Sequence, residues 1–159
     1  MMAGYLKIGD IKGESVDKNH KGWIDLESVS QSLSRPTGGV NTSRNKGSVS
    51  CGDVVCTKKM DASTPKLIQA CCDGTDFPEV LIDLCASQGA GSRVPFFQWK
   101  LSNVRVTSYN VGGSANDSDL YENLSLNYDK IDWVYDKMGK DAKSEGKIDA
   151  SWKVEEGEA

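Results

Sequence analysis

Histidine is nearly missing from this chain of 159 residues: His20 stands alone. Imidazole is the most frequent general base and a common zinc ligand, so a hydrolase that activates its nucleophile with an imidazole would have to use this one side chain. His20 lies in Asp17-Lys18-Asn19-His20-Lys21-Gly22, among charged turn residues, and the chain holds no G-x-S-x-G elbow to present a nucleophile. A hydrogen bond within its own turn is the role expected of it. The carboxylate pairs Asp129/Asp132 and Glu155/Glu156 read as a solvated turn and a solvated tail. Gly38-Gly39 and Gly112-Gly113 lack the strand, lysine and helix of a phosphate cradle. No enzyme activity, catalytic residue or cofactor is expected.

A long apolar run is also missing. The opening residues Met1 to Asp10 alternate polar and apolar side chains, without the continuous stretch of a signal peptide or a spanning helix. Folding in the cytoplasm without membrane insertion is the expectation. There is no basic excess either: the net charge is -4, which gives no reason to approach nucleic acid. The five cysteines, Cys51, Cys56, Cys71, Cys72 and Cys85, are odd in number and lack metal-ligand spacing. They read as reduced thiols packed as small hydrophobes, with no metal site.

What the chain does have is alternation of period two, punctuated by turns. Leu6 and Ile8 share one face of a first strand, and Gly22 to Ser34 reads as a second. There Ile24 and Leu26 are even while Val29 and Leu33 are odd, a slip that predicts a bulge or sharp bend. Residues 35–48 are nearly devoid of apolar side chains and predict a long exposed loop. A third strand runs from Val49 to Lys59, and a short amphipathic helix follows over about 63–73, capped by Ser63, admitting Pro65 in its first turn and ended by Gly74. Strands resume at Val80 to Cys85 and, after a turn at Gly89 and Gly91, at Arg93 to Val111, where a parity switch predicts a bulge near Ser102-Asn103. Leu124, Leu126 and Tyr128 then hand over to Ile131, Trp133 and Tyr135, and Ile148, Ala150, Trp152 and Val154 alternate to the end. The fold class expected is mainly β: a small closed β-barrel of two curved, mostly antiparallel sheets with one short α-helix alongside, forming a single domain over 1–154 before an acidic tail at 155–159.

Tyr5-Leu6-Lys7-Ile8-Gly9-Asp10-Ile11-Lys12-Gly13-Glu14-Ser15, His20 with Ile24-Asp25, and Asp61-Ala62-Ser63-Thr64-Pro65-Lys66-Leu67 closely resemble the Hcp family (haemolysin-coregulated proteins) of the bacterial type VI secretion system. Leu101 to Val106, Gly112-Gly113, Glu122 to Tyr128 and Trp152 resemble its second half, in the same order. The resemblance implies a hexameric ring, stacked with others into a tube that a contractile sheath expels with a VgrG-type spike protein and effectors. It implies secretion from the cytoplasm without a cleaved signal peptide. By the same resemblance Ser30 faces the lumen; Ser28 and Ser32 share its parity and become effector-contact candidates, against the plainer reading of serines facing solvent. Arg35, Arg44 and Lys46 are the candidates for bridging rings through the long loop. The alternative is a β-barrel that holds a small ligand and has no part in secretion.

Overall fold

The computed structural model describes residues 2–35, 49–86, 93–139 and 143–154. In chain order the elements are β1 (Met2–Ile8), β2 (Ile24–Leu26), β3 (Ser28–Ser30), β4 (Leu33–Ser34), β5 (Ser50–Cys51), β6 (Val54–Lys59), α1 (Thr64–Asp73), β7 (Asp76–Ala86), β8 (Val94–Gly112), β9 (Tyr121–Asn127), β10 (Lys130–Met138) and β11 (Ser144–Lys153). Among the described residues the protein is mainly β with one helix, and every strand pair is antiparallel.

The strand order is β2-β1-β7-β8-β9-β6-β3, with β10 also on β8 and β11 on β10. The nineteen residues of β8 organise it. Their first part, Phe97 to Ser102, pairs with β10, and their second part, from Arg105 onward, pairs with β9. Between the two lies Asn103, whose φ of 50° is left-handed. Asparagine tolerates that region when its amide bonds locally, and here Nδ2 donates to Asp129 Oδ2 at 2.7 Å while the Asp129 N–H donates to the Ser102 carbonyl at 3.1 Å. The break in β8 thus stands opposite the break between β9 and β10. The sequence predicts a bulge here; the burial does change parity, with Leu101 buried before Asn103 and Val104 and Val106 after it, but the register against β7 runs through from Ser102 to Val104 without a shift. A register shift lies further on, between Val106 and Ser108.

The second strand expected from the sequence is three short ones. β2 pairs with β1 at one end of the strand order, while β3 pairs with β6 at the other. Only Glu27 separates them, and its N–H donates to the Thr57 carbonyl at 2.7 Å. The parity slip therefore marks a chain leaving one sheet edge for another. Both edges are brought together there, although among the described residues the hydrogen-bonded ladder is not continuous from β2 to β3. The third expected strand is likewise split, into β5 and β6 at Gly52-Asp53, and β4 with β5 forms a separate two-stranded ribbon. A Cβ on Gly52 would stand 2.9 Å from the Ser32 carbonyl oxygen, so only glycine fits this crossing.

Leu6, Ile8, Ile24, Val54, Leu67, Ile82, Leu101, Leu124, Leu126 and Ile131 are fully buried in one cluster. Each contributes roughly 1.5–3 kcal/mol through removal from water. The helix ends as expected at Gly74, in the left-handed region with φ 66°, and Ser63 holds the N-cap position as expected, but its side chain makes no capping hydrogen bond. The Ser63 hydroxyl donates to Asp61 Oδ1 instead, and the Asp61 N–H is taken by Thr64 Oγ1. Of the cysteines, Cys56 and Cys85 are buried as expected, Cys51 and Cys71 are half-buried, and Cys72 is exposed, because it lies off the face on which Leu67 and Ala70 are buried. The turn at Gly89 and Gly91 and the tail 155–159 lie outside the described residues.

Candidate functional site

Ser28 and Ser30 are exposed on β3, with Val29 half-buried between them, and Ser32 is exposed just beyond the strand. Their setting goes beyond what three serines at period two reveal. Ser28 stands opposite Thr57, Thr57 opposite Asn123 and Asn123 opposite Asn110. One row along, Ser30 faces Val55, Val55 faces Ser125 and Ser125 faces Ser108. Residues paired across strands point to the same side. Four strands, β3, β6, β9 and β8, therefore present two rows of short side chains without a charge among them. Within the rows the Thr57 hydroxyl donates to Asn123 Oδ1 at 2.7 Å. Such a surface hydrogen-bonds weakly to many partners and commits strongly to none.

Arg35 is exposed at the end of the β4/β5 ribbon, beside a cavity of about 220 Å³ lined by Leu33, Val49, Cys51, Trp133 and Trp152. Arg44 and Lys46, with the rest of the expected loop over 36–48, lie outside the described residues.

His20 is buried, which the charge of its neighbours did not suggest. Nδ1 lies 2.7 Å from Asp17 Oδ2 and Nε2 lies 2.9 Å from Asp83 Oδ2 on β7, while Gln98 Nε2 donates to Asp83 Oδ1 at 2.6 Å. Tyr5 stacks on the imidazole at 4.3 Å and Trp23 meets it edge-on. Burial works against the Asp17 charge, but hydrogen bonds from His20 and the Asn19 N–H outweigh it and hold the carboxyl below its ordinary range. Cys85 Sγ is 3.9 Å from Nε2, a distance that invites a nucleophile reading. Burial, then the charges of Asp83 and Asp17, push that thiol up to about 12, so the thiolate is not formed. Both ring nitrogens are engaged, leaving none to take a substrate proton. His20 staples its turn to the sheet.

A second buried polar centre joins β6, β9 and the helix. Lys58 Nζ bonds Glu122 Oε2, Asp61 Oδ1 at 3.0 Å and the Lys59 carbonyl at 2.9 Å, and Tyr109 donates to Glu122 Oε1 at 2.6 Å. Both charged side chains are fully buried. The signal was present in the sequence: Lys58 shares the parity of Val54 and Cys56, and Glu122 that of Leu124 and Leu126, so opposite charges fall on the inward faces of two strands.

These centres support a packed interior. The fully buried side chains fill the space that a ligand calyx would need, and the reading as a small-ligand barrel finds no support.

The family profile described as "Type VI secretion system effector, Hcp" matches residues 5–135. Protein hcp1 of Pseudomonas aeruginosa is 34% identical over 152 residues, covering 94% of this chain and 93% of that protein. Among solved structures, a type six secretion system protein superposes with a TM-score of 0.90 at 25% identity, covering 99% of both chains. Hcp1 from Salmonella typhimurium gives 0.78 at 20% identity, covering 98% of this chain and 96% of the other. A type VI secretion system effector from Yersinia pestis gives 0.74 at 22%, covering 95% and 99%. With its fold, its extent and its sequence all matched, the chain belongs to the Hcp family of type VI secretion system tube proteins.

Proposed function

We propose that this chain assembles into hexameric rings that stack into the expelled inner tube, and that the lumen of the tube holds effectors. The observation that carries the reading is the uncharged polar face of β3, β6, β9 and β8, with Ser28 and Ser30 at its edge and Ser32 beyond. A passage lined in this way holds a folded cargo through many weak contacts and still releases it, since ring symmetry repeats each contact around one axis.

A second surface suits the joint between subunits. Phe97 faces Tyr135, and Tyr135 faces Ile148, across β8, β10 and β11. The row is apolar, yet Tyr135 is 43% and Ile148 is 70% exposed. Closing the ring by a heterologous contact would cover it. In the protomer, Glu27 is the point where the two sheet edges come together to close the barrel. The loop 35–48, with Arg35, Arg44 and Lys46, bridges successive rings. The spike protein and the contractile sheath are the further partners, and the chain leaves the cytoplasm through the assembled machine. A structural role, without catalysis, accounts for all of these surfaces.

Ser30→Arg tests the lumen assignment. The variant places a repeated positive charge in the polar face and leaves the core intact. It should form rings and lose capture of an effector exported by the same system. Full capture by intact Ser30→Arg rings would remove this face from the lumen.

A further inference from the structure

Gln31 sits between Ser30 and Ser32, at the point where the chain leaves β3 and starts the β4/β5 ribbon. Its side chain turns inward and is shared by three distant residues. Oε1 accepts from Trp99 Nε1 at 3.1 Å and from Trp133 Nε1 at 3.0 Å, and Nε2 donates to the Tyr128 hydroxyl at 2.9 Å. Tyr128 passes the connection on, donating to the Gly52 carbonyl at 2.9 Å, and the Gly52 N–H returns to the Ser32 carbonyl at 2.9 Å. Trp99 and Trp133 face each other across β8 and β10. One amide thus ties both sides of the ribbon to the middle of the sheet.

The other contacts of the ribbon are of a different kind. Leu33 and Cys51 meet Trp133 and Trp152 around the cavity of about 220 Å³. Apolar contact around a void holds without specifying direction, whereas a hydrogen bond fixes both distance and angle. A carbonyl oxygen with two lone pairs satisfies two indole donors at once, and among side chains of this reach only an amide also donates to Tyr128.

We propose that Gln31 is the positioning residue of this region: its amide sets the register and tilt of residues 28–34, and through them the presentation of Ser30, Ser32 and the β4/β5 ribbon. The consequence for cargo and stacking rests on the tube reading above; the clamp itself does not.

The test uses the full chain, by following the four indole N–H resonances and amide hydrogen exchange in the parent, Gln31→Leu, Gln31→Asn and Gln31→Glu. In Gln31→Leu the Trp99 and Trp133 indole signals should move together to higher field. Trp152, whose indole N–H has no acceptor among the described residues, should not follow. Amides of residues 28–34 should exchange about tenfold faster or more, while those of β9 stay protected. Gln31→Asn, one methylene short, should behave like the leucine variant. Gln31→Glu, which keeps the acceptor, should restore the indole signals. Unmoved indole signals in Gln31→Leu, or parental exchange over 28–34, overturns the proposal. Should Gln31→Leu fail to fold, Trp133→Phe removes one donor while keeping an aromatic ring, and the same exchange over 28–34 is read. None of these measurements requires secretion, so a clamp that behaves as stated in a chain that forms no ring contradicts the tube reading alone.

Discussion

His20 and Asp83, 63 residues apart in sequence, meet at 2.9 Å in the buried interior and join the long turn after β1 to β7. Replacing His20 by Ala leaves Asp17 and Asp83 facing one another without a donor between them. Stripping one partner from a buried ionic arrangement costs about 3–5 kcal/mol. The thermal midpoint should fall by roughly 6–20 °C, given about 2–4 °C per kcal/mol at this chain length. A melting curve that overlays the parent's shows that the staple bears no load.

The same cluster sets an acid dependence. The Asp17 carboxyl is held below its ordinary value of 3.8 in the folded state. Its contribution is therefore complete above that ordinary value and is lost as pH falls through the lower, folded-state value. Asp17→Asn should reduce stability at neutral pH and show a shallower loss than the parent as pH falls below that ordinary value. Denaturant titrations at several pH values check this, and parallel acid limbs in the two proteins contradict it.

Lys58 and Glu122 are both fully buried, and this makes their single and double replacements differ. Lys58→Met abandons a carboxylate in the core and should cost about 3–5 kcal/mol, whereas Lys58→Met with Glu122→Leu should recover much of that. A urea double-mutant cycle reads the coupling. Additive losses would mean that the two charges are solvated separately.

On the helix, Leu67 is fully buried while Ile68 is 37% exposed. Leu67→Ala should cost about 2–5 kcal/mol and Ile68→Ala under about 1 kcal/mol in the isolated protomer. Equal losses would mean that the helix is rotated from the face described.

Much of this architecture was legible in the sequence because alternation is a local property. Leu6 with Ile8, Val104 with Val106 and Leu124 with Leu126 each announce one buried face, and Pro65 and Gly74 bracket the helix. The parity change between Leu101 and Val104 even locates the left-handed Asn103. Parity could not say that Gly22 to Ser34 is three strands, since a bulge and a change of sheet edge produce the same slip, and only the remote partners Leu6 and Cys56 tell them apart. The clean alternation of Ile148, Ala150 and Trp152 gave the face of β11 and not whether anything covers it; Ile148 is exposed. Of the candidate site, the serines were visible. The rows through Thr57, Asn123 and Ser125 were not, because they are assembled from strands remote in sequence. Gln31 carried no signal at all, as its three partners lie 68 to 102 residues away.

Ring formation is the central claim, and light scattering coupled to size exclusion, with electron micrographs of the same fractions, addresses it most directly. The parent should elute as a discrete species at six times the 17.3 kDa chain mass and appear as rings of uniform diameter. Ile148→Asp, which sets a charge in the exposed Phe97–Tyr135–Ile148 row, should yield a folded protomer that no longer assembles. A parent that remains monomeric across the micromolar range, with no rings on the grid, would contradict the assembly on which the proposed function depends.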